Sequence, residues 1–443
     1  AAKTGRVDIE AAAWTLTMDI VALRQGLYDE GRRVGLGAEA AIARAGDNPL
    51  ARAQLLSALG KIAQAEGSYD MAYQQFSGAL KIQNEHLPAS DVRKADTLAW
   101  IGAALEGTGR YAAASKNHRE SLAIREQVLG TSHPDVARSL LRLASSMQGH
   151  LGPEPVEGTL VRARMLLDQD GVMTLASLPA AGGEPAIPAA VFDAIEHPVD
   201  LARCLDQLGT LQRSQEEFEQ AGRLHARAVA MLERALGPTH RDVGYARLNL
   251  GLALADQRRH TEALPHLRRG LEVWARTLPP GHPDLGYAHL DLANSLWATG
   301  QAESAREHYA LALGVWEAAM GEEHPLVAYA LTGLGRTMLA TGAPLESLPH
   351  LERALELRTH DGEDDLNLAE ASLLLGQALY VSGNDQARAR DLIMRARNLS
   401  GAYEPTDEAG LLRVLTGGEY ERFTDQLAPA GLGVTNRYRP EPF

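Results

Sequence analysis

"HPDLGYAHLDLANSLWATGQAESAREHYALALGVW", residues 282–316, is a phrase this chain repeats. A similar phrase begins 42 residues earlier at His240, and another begins 42 later at His324. One small residue follows a leucine-rich stretch at Gly60, Gly102, Ala144, Gly209, Gly251, Ala293, Gly335 and Gly376, at intervals of 42, 42, 65, 42, 42, 42 and 41. A second small position runs through Ala72, Ala114, Ala221, Ala263, Ala305 and Ser347. A third runs through Ala228, Gly270, Ala312 and Ala354. Three registers sharing one period are the signature of a solenoid, in which each unit is too small to bury its own apolar face and must stack.

Each unit has helical grammar. In "HPDLGYAHLDLANSLWAT" the apolar and small residues recur at helical spacing, and Pro283 falls where a first helical turn needs no N–H. Asp284 places negative charge at the positive end of that helix. Gly300 ends it, and "QAESAREHYALALGVWEAAM" begins the next. Ala293 and Ala305 let the two helices approach closely. The expected fold is all-α, a solenoid of helix–turn–helix units.

The pattern L-G, then Gly-x-Tyr/Phe, then Ala, then R-A-L resembles the tetratricopeptide repeat. Residues 98–137, "LAWIGAALEGTGRYAAASKNHRESLAIREQVLGTSHPDVA", are similar to its 42-residue variety in kinesin light chains. The resemblance covers about residues 48–405 and implies a right-handed superhelix that binds a protein or peptide in its concave groove. "NPLARAQLLSALGKIAQAEGSYDMA" also resembles tetratricopeptide regions that follow the kinase domain in some bacterial Ser/Thr protein kinases. On that resemblance the chain is a scaffold or sensor in bacterial signalling.

Bulk properties narrow the alternatives. The 443 residues carry a net charge of −14 with both signs interspersed, and no basic run suits phosphate neutralisation, so nucleic acid is not an expected partner. No apolar run approaches the roughly 20 residues that span a bilayer. The expected location is cytoplasmic. The single cysteine, Cys204, excludes an intramolecular disulfide framework. "AAKTGRVDIEAAAW" reads as the middle of a longer chain.

Departures from the period suggest an organisation. Residues 1–46 read as a degenerate helix pair acting as an N-terminal cap, 47–170 as repeats 1–3, 171–196 as a Pro/Gly-rich insertion, 197–405 as repeats 4–8, and 406–443 as C-terminal capping helices and tail. The insertion contains "SLPAAGGEPAIP", is expected to be the most mobile internal segment, and marks a joint between the two blocks. "GHLGPEP" interrupts the helical phrase after Gly149, and "THDGEDDL" replaces a His-Pro loop with an acidic one.

A catalytic site is not expected. The chain has no G-x-x-x-x-G-K-[ST] loop and no kinase His-Arg-Asp or Asp-Phe-Gly element. "GLGAEA" (residues 35–40) half-matches a dinucleotide turn but has no preceding strand. His133, His197, His240, His282 and His324 occupy equivalent loop positions, which points to a role in the turns and away from metal binding. Neither a metal nor a cofactor is expected. Cys204 has no neighbour to activate it. Trp274 and Trp316, 42 apart, are expected to pack between repeats.

The expected site is the groove face of the first helices, at positions −6, −2 and +1 from the small marker residue, which share one face at 3.6 residues per turn. Repeats 5–7 place there Tyr245, Tyr287 and Tyr329 as a ladder, beside Asn249, Asp291, Asn294 and Arg336. Repeats 3 and 4 contribute Arg138, Arg142 and Arg203, a basic stretch suited to acidic peptide groups. In kinesin light chains the −2 position, often asparagine, helps hold an extended peptide. Asn249 keeps that identity, while Trp100 and Asp291 do not. Two competing roles stay open: the tyrosines could pack adjacent first helices together, and the arginines could be solvated and paired with nearby carboxylates. Self-association, through the tail or as a homo-oligomer, is the alternative to a separate partner.

Overall fold

The computed structural model describes residues 2–24, 27–168, 192–193, 195–361 and 365–400; the expected insertion (all but its last residues) and the expected C-terminal helices and tail lie outside them. Among the described residues there is no strand. The described residues divide into two units: those up to 253 with 272–280, and 254–271 with 281–400.

In the first unit, α1 (Ala2–Asp19) runs through a π-helical turn at Ile20–Arg24 and pairs with α2 (Tyr28–Arg44). The next pairs are α3 (Pro49–Ala65) with α4 (Tyr69–His86), and α5 (Val92–Gly107) with α6 (Tyr111–Leu129). They are followed by α7 (Pro134–Gln148) with α8 (Pro153–Leu167), and α9 (Pro198–Ser214) with α10 (Phe218–Leu236). The "GHLGPEP" break is only a short turn, because Pro153 opens a new helix at a first-turn position where its missing N–H is harmless. Helices α11 (Arg241–Asp256) and α12 (His260–Thr277) contribute residues to both units. The second unit continues with α13 (Pro283–Ala298), α14 (Ala302–Met320), α15 (Pro325–Ala340), α16 (Pro344–Asp361), α17 (Asp365–Ser382) and α18 (Gln386–Ser400).

The marker residue is small because a bulky side chain 16 or 17 positions later, on the second helix of the same pair, lies across it. A Cβ on Gly60 would stand 2.7 Å from the Phe76 ring, on Gly102 2.3 Å from His118, on Gly209 2.8 Å from His225, on Gly335 2.3 Å from Leu351, and on Gly376 2.8 Å from Ile393. Repeat 6 varies the device: its marker is Ala293, and Tyr309 covers Gly333 of the next first helix at 2.4 Å instead. Neighbouring pairs interlock similarly, with Tyr69 over Gly107 and Tyr111 over Gly149.

The loop histidines are helix caps. Nδ1 of His133, His240, His282 and His324 accepts the backbone N–H two residues on, at 3.1 to 3.2 Å, at the residue just before the helix. The ring thus satisfies one of the donors a helix start leaves open. His197 makes no such bond. After α3, α5, α13, α15 and α17 the chain turns through a left-handed glycine (Gly67, Gly109, Gly300, Gly342 and Gly383), and after α9 and α11 through Glu216 (φ 64) and Arg258 (φ 62), whereas α7 ends on Gly149 at φ −72.

Candidate functional site

The tyrosines of the expected ladder are largely part of the core. Tyr245 (8% exposed) stacks on Trp274 with centroids 5.9 Å apart, and Tyr287 (3% exposed) meets Trp316 edge-on at 5.3 Å. Both tryptophans pack against the first helix of their own pair. A Cβ at Gly244 would sit 2.7 Å from Trp274, and one at Gly286 2.3 Å from Trp316. The indole N–H groups donate to the carbonyls of Arg241 (3.3 Å) and Pro283 (3.2 Å). Forty-two residues beyond Trp316 stands Arg358, whose guanidinium lies 4.2 Å over the ring of half-buried Tyr329.

The arginines of the expected basic stretch are engaged by carboxylates. Arg138 donates to Asp200 of the next repeat at 2.9 Å, and Arg203 donates to Asp242 of the repeat after that at 2.6 Å. Each bond joins position −6 of one first helix to the opening turn of the next, so these cations act as straps along the first unit. Tyr329 and Asn367 repeat the relation in the second unit at 3.5 Å. Arg142 lies 5.4 Å over the face of Trp100, and burial pulls its guanidinium down to about 10.

The polar groove residues are tightly held. In the first unit Asn249 (5% exposed) donates to Asp206 Oδ2 at 2.9 Å. His225 Nδ1 lies 2.6 Å from the other oxygen of Asp206, placing a buried imidazole behind the carboxylate. In the second unit the Tyr309 hydroxyl donates to Asn294 Oδ1 at 2.6 Å, and Arg336 pairs with Glu370 at 2.7 Å while its guanidinium sits 5.7 Å from the Trp297 ring. Burial pushes the Tyr309 phenol up to about 12, so the hydroxyl stays a donor. Asp291 is 7% exposed on the same helix. Tyr245, Asn249 and the arginines thus belong to the first unit, and Tyr287, Asp291, Asn294, Tyr329 and Arg336 to the second.

The sequence reasoning missed the histidines behind this face. His118 and His225 sit 16 after their marker glycines, each beside an acid, which a scan at that offset would have found. Glu106 and His118 approach to 3.2 Å with both side chains buried. Burial raises the Glu106 carboxyl to about 8 and lowers the His118 ring to about 3, so the pair holds one proton without net charge at neutral pH.

The Cys204 thiol is fully buried against the Leu160 carbonyl at 3.5 Å, and burial pushes it up to about 12, the opposite of an activated nucleophile. Among the described residues no group of three or more His, Cys, Asp or Glu is placed to hold a metal ion, and no helix is long and apolar enough to cross a membrane.

Helix pairs in one 42-residue register, locked by a small residue under a larger side chain, define an α-solenoid of helical repeats. Residues 93–151, 200–276 and 284–360 match the family model of the tetratricopeptide repeat, and the chain carries tetratricopeptide repeats there. Several solved structures are similar. The tetratricopeptide sensor-bearing signal transduction ATPase (STAND protein) of Pyrococcus horikoshii is 10% identical with a TM-score of 0.50; the match covers 90% of this chain and 54% of that one. A Podospora anserina protein with kinesin-light-chain TPR-like repeats is 22% identical over 47% of this chain and 98% of its own, TM-score 0.40. The Rap protein complexed with competence and sporulation factor is 13% identical over 84% and 99%, TM-score 0.46. No curated protein matches the sequence.

Proposed function

We propose that this protein is a non-enzymatic scaffold that binds an extended peptide or protein segment on the inner face of its first helices. One observation carries this reading: the amides on that face are fixed in a single orientation by groups behind them. His225 and Asp206 set Asn249, and the Tyr309 hydroxyl sets Asn294. Asparagines held this way recognise a peptide backbone without demanding one sequence, and their ordering has been completed before the ligand arrives. The tyrosines contribute by shaping the face from below. Asp291 and Arg336 on the first helices of the second unit, and Arg138, Arg142 and Arg203 on those of the first, give each unit's face a charge pattern of its own that would select among ligands. A sensing or docking role in bacterial signalling, beside a kinase, is the finer form of the proposal and rests on the sequence resemblance.

The test is to pan a random peptide library against the chain and measure the affinity of the selected peptides. Asn249→Ala or Asn294→Ala should each weaken binding by about 1–2 kcal/mol, the scale of an interface hot spot. Selected peptides whose affinity is unchanged in both variants would refute the groove assignment.

A further inference from the structure

We propose that His289 and His308 form an acid-sensitive clasp between α13 and α14: the second proton the pair takes up parts the two helices beside Asn294. Both rings are half-buried in the second unit, His289 on α13 and His308 on α14. Their Nδ1 atoms lie 2.9 Å apart, with ring centroids 5.2 Å apart and planes inclined by 29°. The rings are therefore nearly coplanar and meet nitrogen to nitrogen, an arrangement that needs one N–H facing one lone pair. Histidine recurs 42 residues to either side of His308, at His266 and His350, but Arg247 and Leu331 stand at the places equivalent to His289. The facing imidazole is particular to this repeat.

With both rings neutral, one Nδ1–H donates to the other Nδ1. A first added proton goes to Nε2 of the donor ring and leaves that bond in place, now charge-assisted. A second has only the acceptor's Nδ1 to occupy. It sets two N–H groups and two cations face to face, which the pair relieves by separating. Burial, with His308 alongside, pulls His289 down to about 4, and burial lowers His308 as well. Of the charged groups around the pair, Glu307 on α14 favours a charged His308 and Arg268 on α12 opposes it. Others are engaged with one another: Arg306 with Glu303 on α14, Arg336 of α15 with Glu370, and Arg353 of α16 with Glu317. His266 of α12 acts on Glu262, and His350 of α16 stands near Arg353 and Glu317. On α13, Asp284 lies by His282, and Asp291 is on the far side of the helix from His289. The folded rings take protons less readily than free ones, so the packing is complete above about pH 6.5 and is lost as pH falls toward 4. Tyr309, next to His308, donates to Asn294 at 2.6 Å, so opening the clasp also frees that groove asparagine.

Hydrogen exchange on the full chain without ligand, between about pH 7 and about pH 4.5 and corrected for the intrinsic rate, tests this. Exchange over residues 283–320 should quicken by roughly tenfold or more relative to residues 325–361 and 365–400 of the same unit. His289→Leu copies Leu331 of the next repeat, and His308→Gln keeps a side-chain donor and acceptor but takes up no proton. Each variant should hold that ratio within about twofold across the same range. A wild-type ratio that does not move with pH overturns the proposal, as does quickening spread evenly over both stretches or a full tenfold rise in either variant. The consequence at Asn294 rests on the proposed groove, but protection is read without a peptide, so the clasp and the groove fail independently.

Discussion

Tyr287→Ala decides whether the tyrosine register belongs to the groove or to the core. Tyr287 is 3% exposed, and its ring meets Trp316 edge-on at 5.3 Å, with Gly286 beside it leaving room for the indole. Truncation removes a buried aromatic side chain from a site that the Trp316 ring cannot refill without leaving the Pro283 carbonyl at 3.2 Å. The expected loss is about 3–4 kcal/mol, the range for large-to-small changes in a closed core. Trp316→Ala should cost about 3–5 kcal/mol for the same reason. The double variant should fall short of the sum by about 0.5–1.5 kcal/mol, the coupling of an aromatic pair. Tyr329→Ala, at a half-buried ring under Arg358, should cost only about 1–2 kcal/mol. Urea unfolding followed by circular dichroism gives the ranking, and hydrogen exchange over residues 283–320 localises the effect, because a repeat array does not unfold in one step. A Tyr287→Ala variant within about 1 kcal/mol of wild type, with unchanged exchange in that region, would refute the packing argument.

Three other outcomes are expected. The stability of the first unit should fall as pH rises from about 6.5 to 8, because there Glu106 keeps a proton when folded that it releases when unfolded, while His118 no longer contributes. Glu106→Gln should abolish that fall, and pH-dependent urea midpoints that match wild type would contradict it. Gly209→Ala, which thrusts a Cβ to 2.8 Å from the His225 ring, should cost about 1–3 kcal/mol, whereas Gly314→Ala, with nothing within 4 Å, should stabilise by about 0.5–1 kcal/mol in the same assay. Arg258→Gly relieves a left-handed backbone (φ 62) at a turn where other repeats place glycine, and should raise thermal stability by about 0.5–1 kcal/mol.

Much of this structure could be read from the amino-acid string. The 42-residue step fixed the helix pairs, and the His-Pro phrase fixed their starts, because both depend on local backbone chemistry. What the string hid was reach. Counting back six from a marker residue gives Tyr245, Tyr287 and Arg203 equivalent places on their own helices, but helical periodicity does not tell how far a neighbour's side chain extends to meet them. Trp274 and Trp316 cover the tyrosines from the second helix, and Asp200 and Asp242 reach the arginines from the next repeat. The buried histidines were hidden differently: a titratable ring at an apolar position looks like noise until its acid is found beside it.

The two kinds of lock have different consequences for how such an array is inherited. At Gly60, Gly102, Gly209, Gly335 and Gly376 the small residue and the side chain lying over it are both written inside one block, so a duplicated block carries that lock with it. The strap from Arg138 to Asp200, or from Arg203 to Asp242, is written half in one block and half in the next. Copying or deleting a block therefore preserves the packing inside it but scrambles the straps at its two borders. Neighbourhood in this chain is recorded along the line of straps, and the order of its repeats is constrained there more than in its interior.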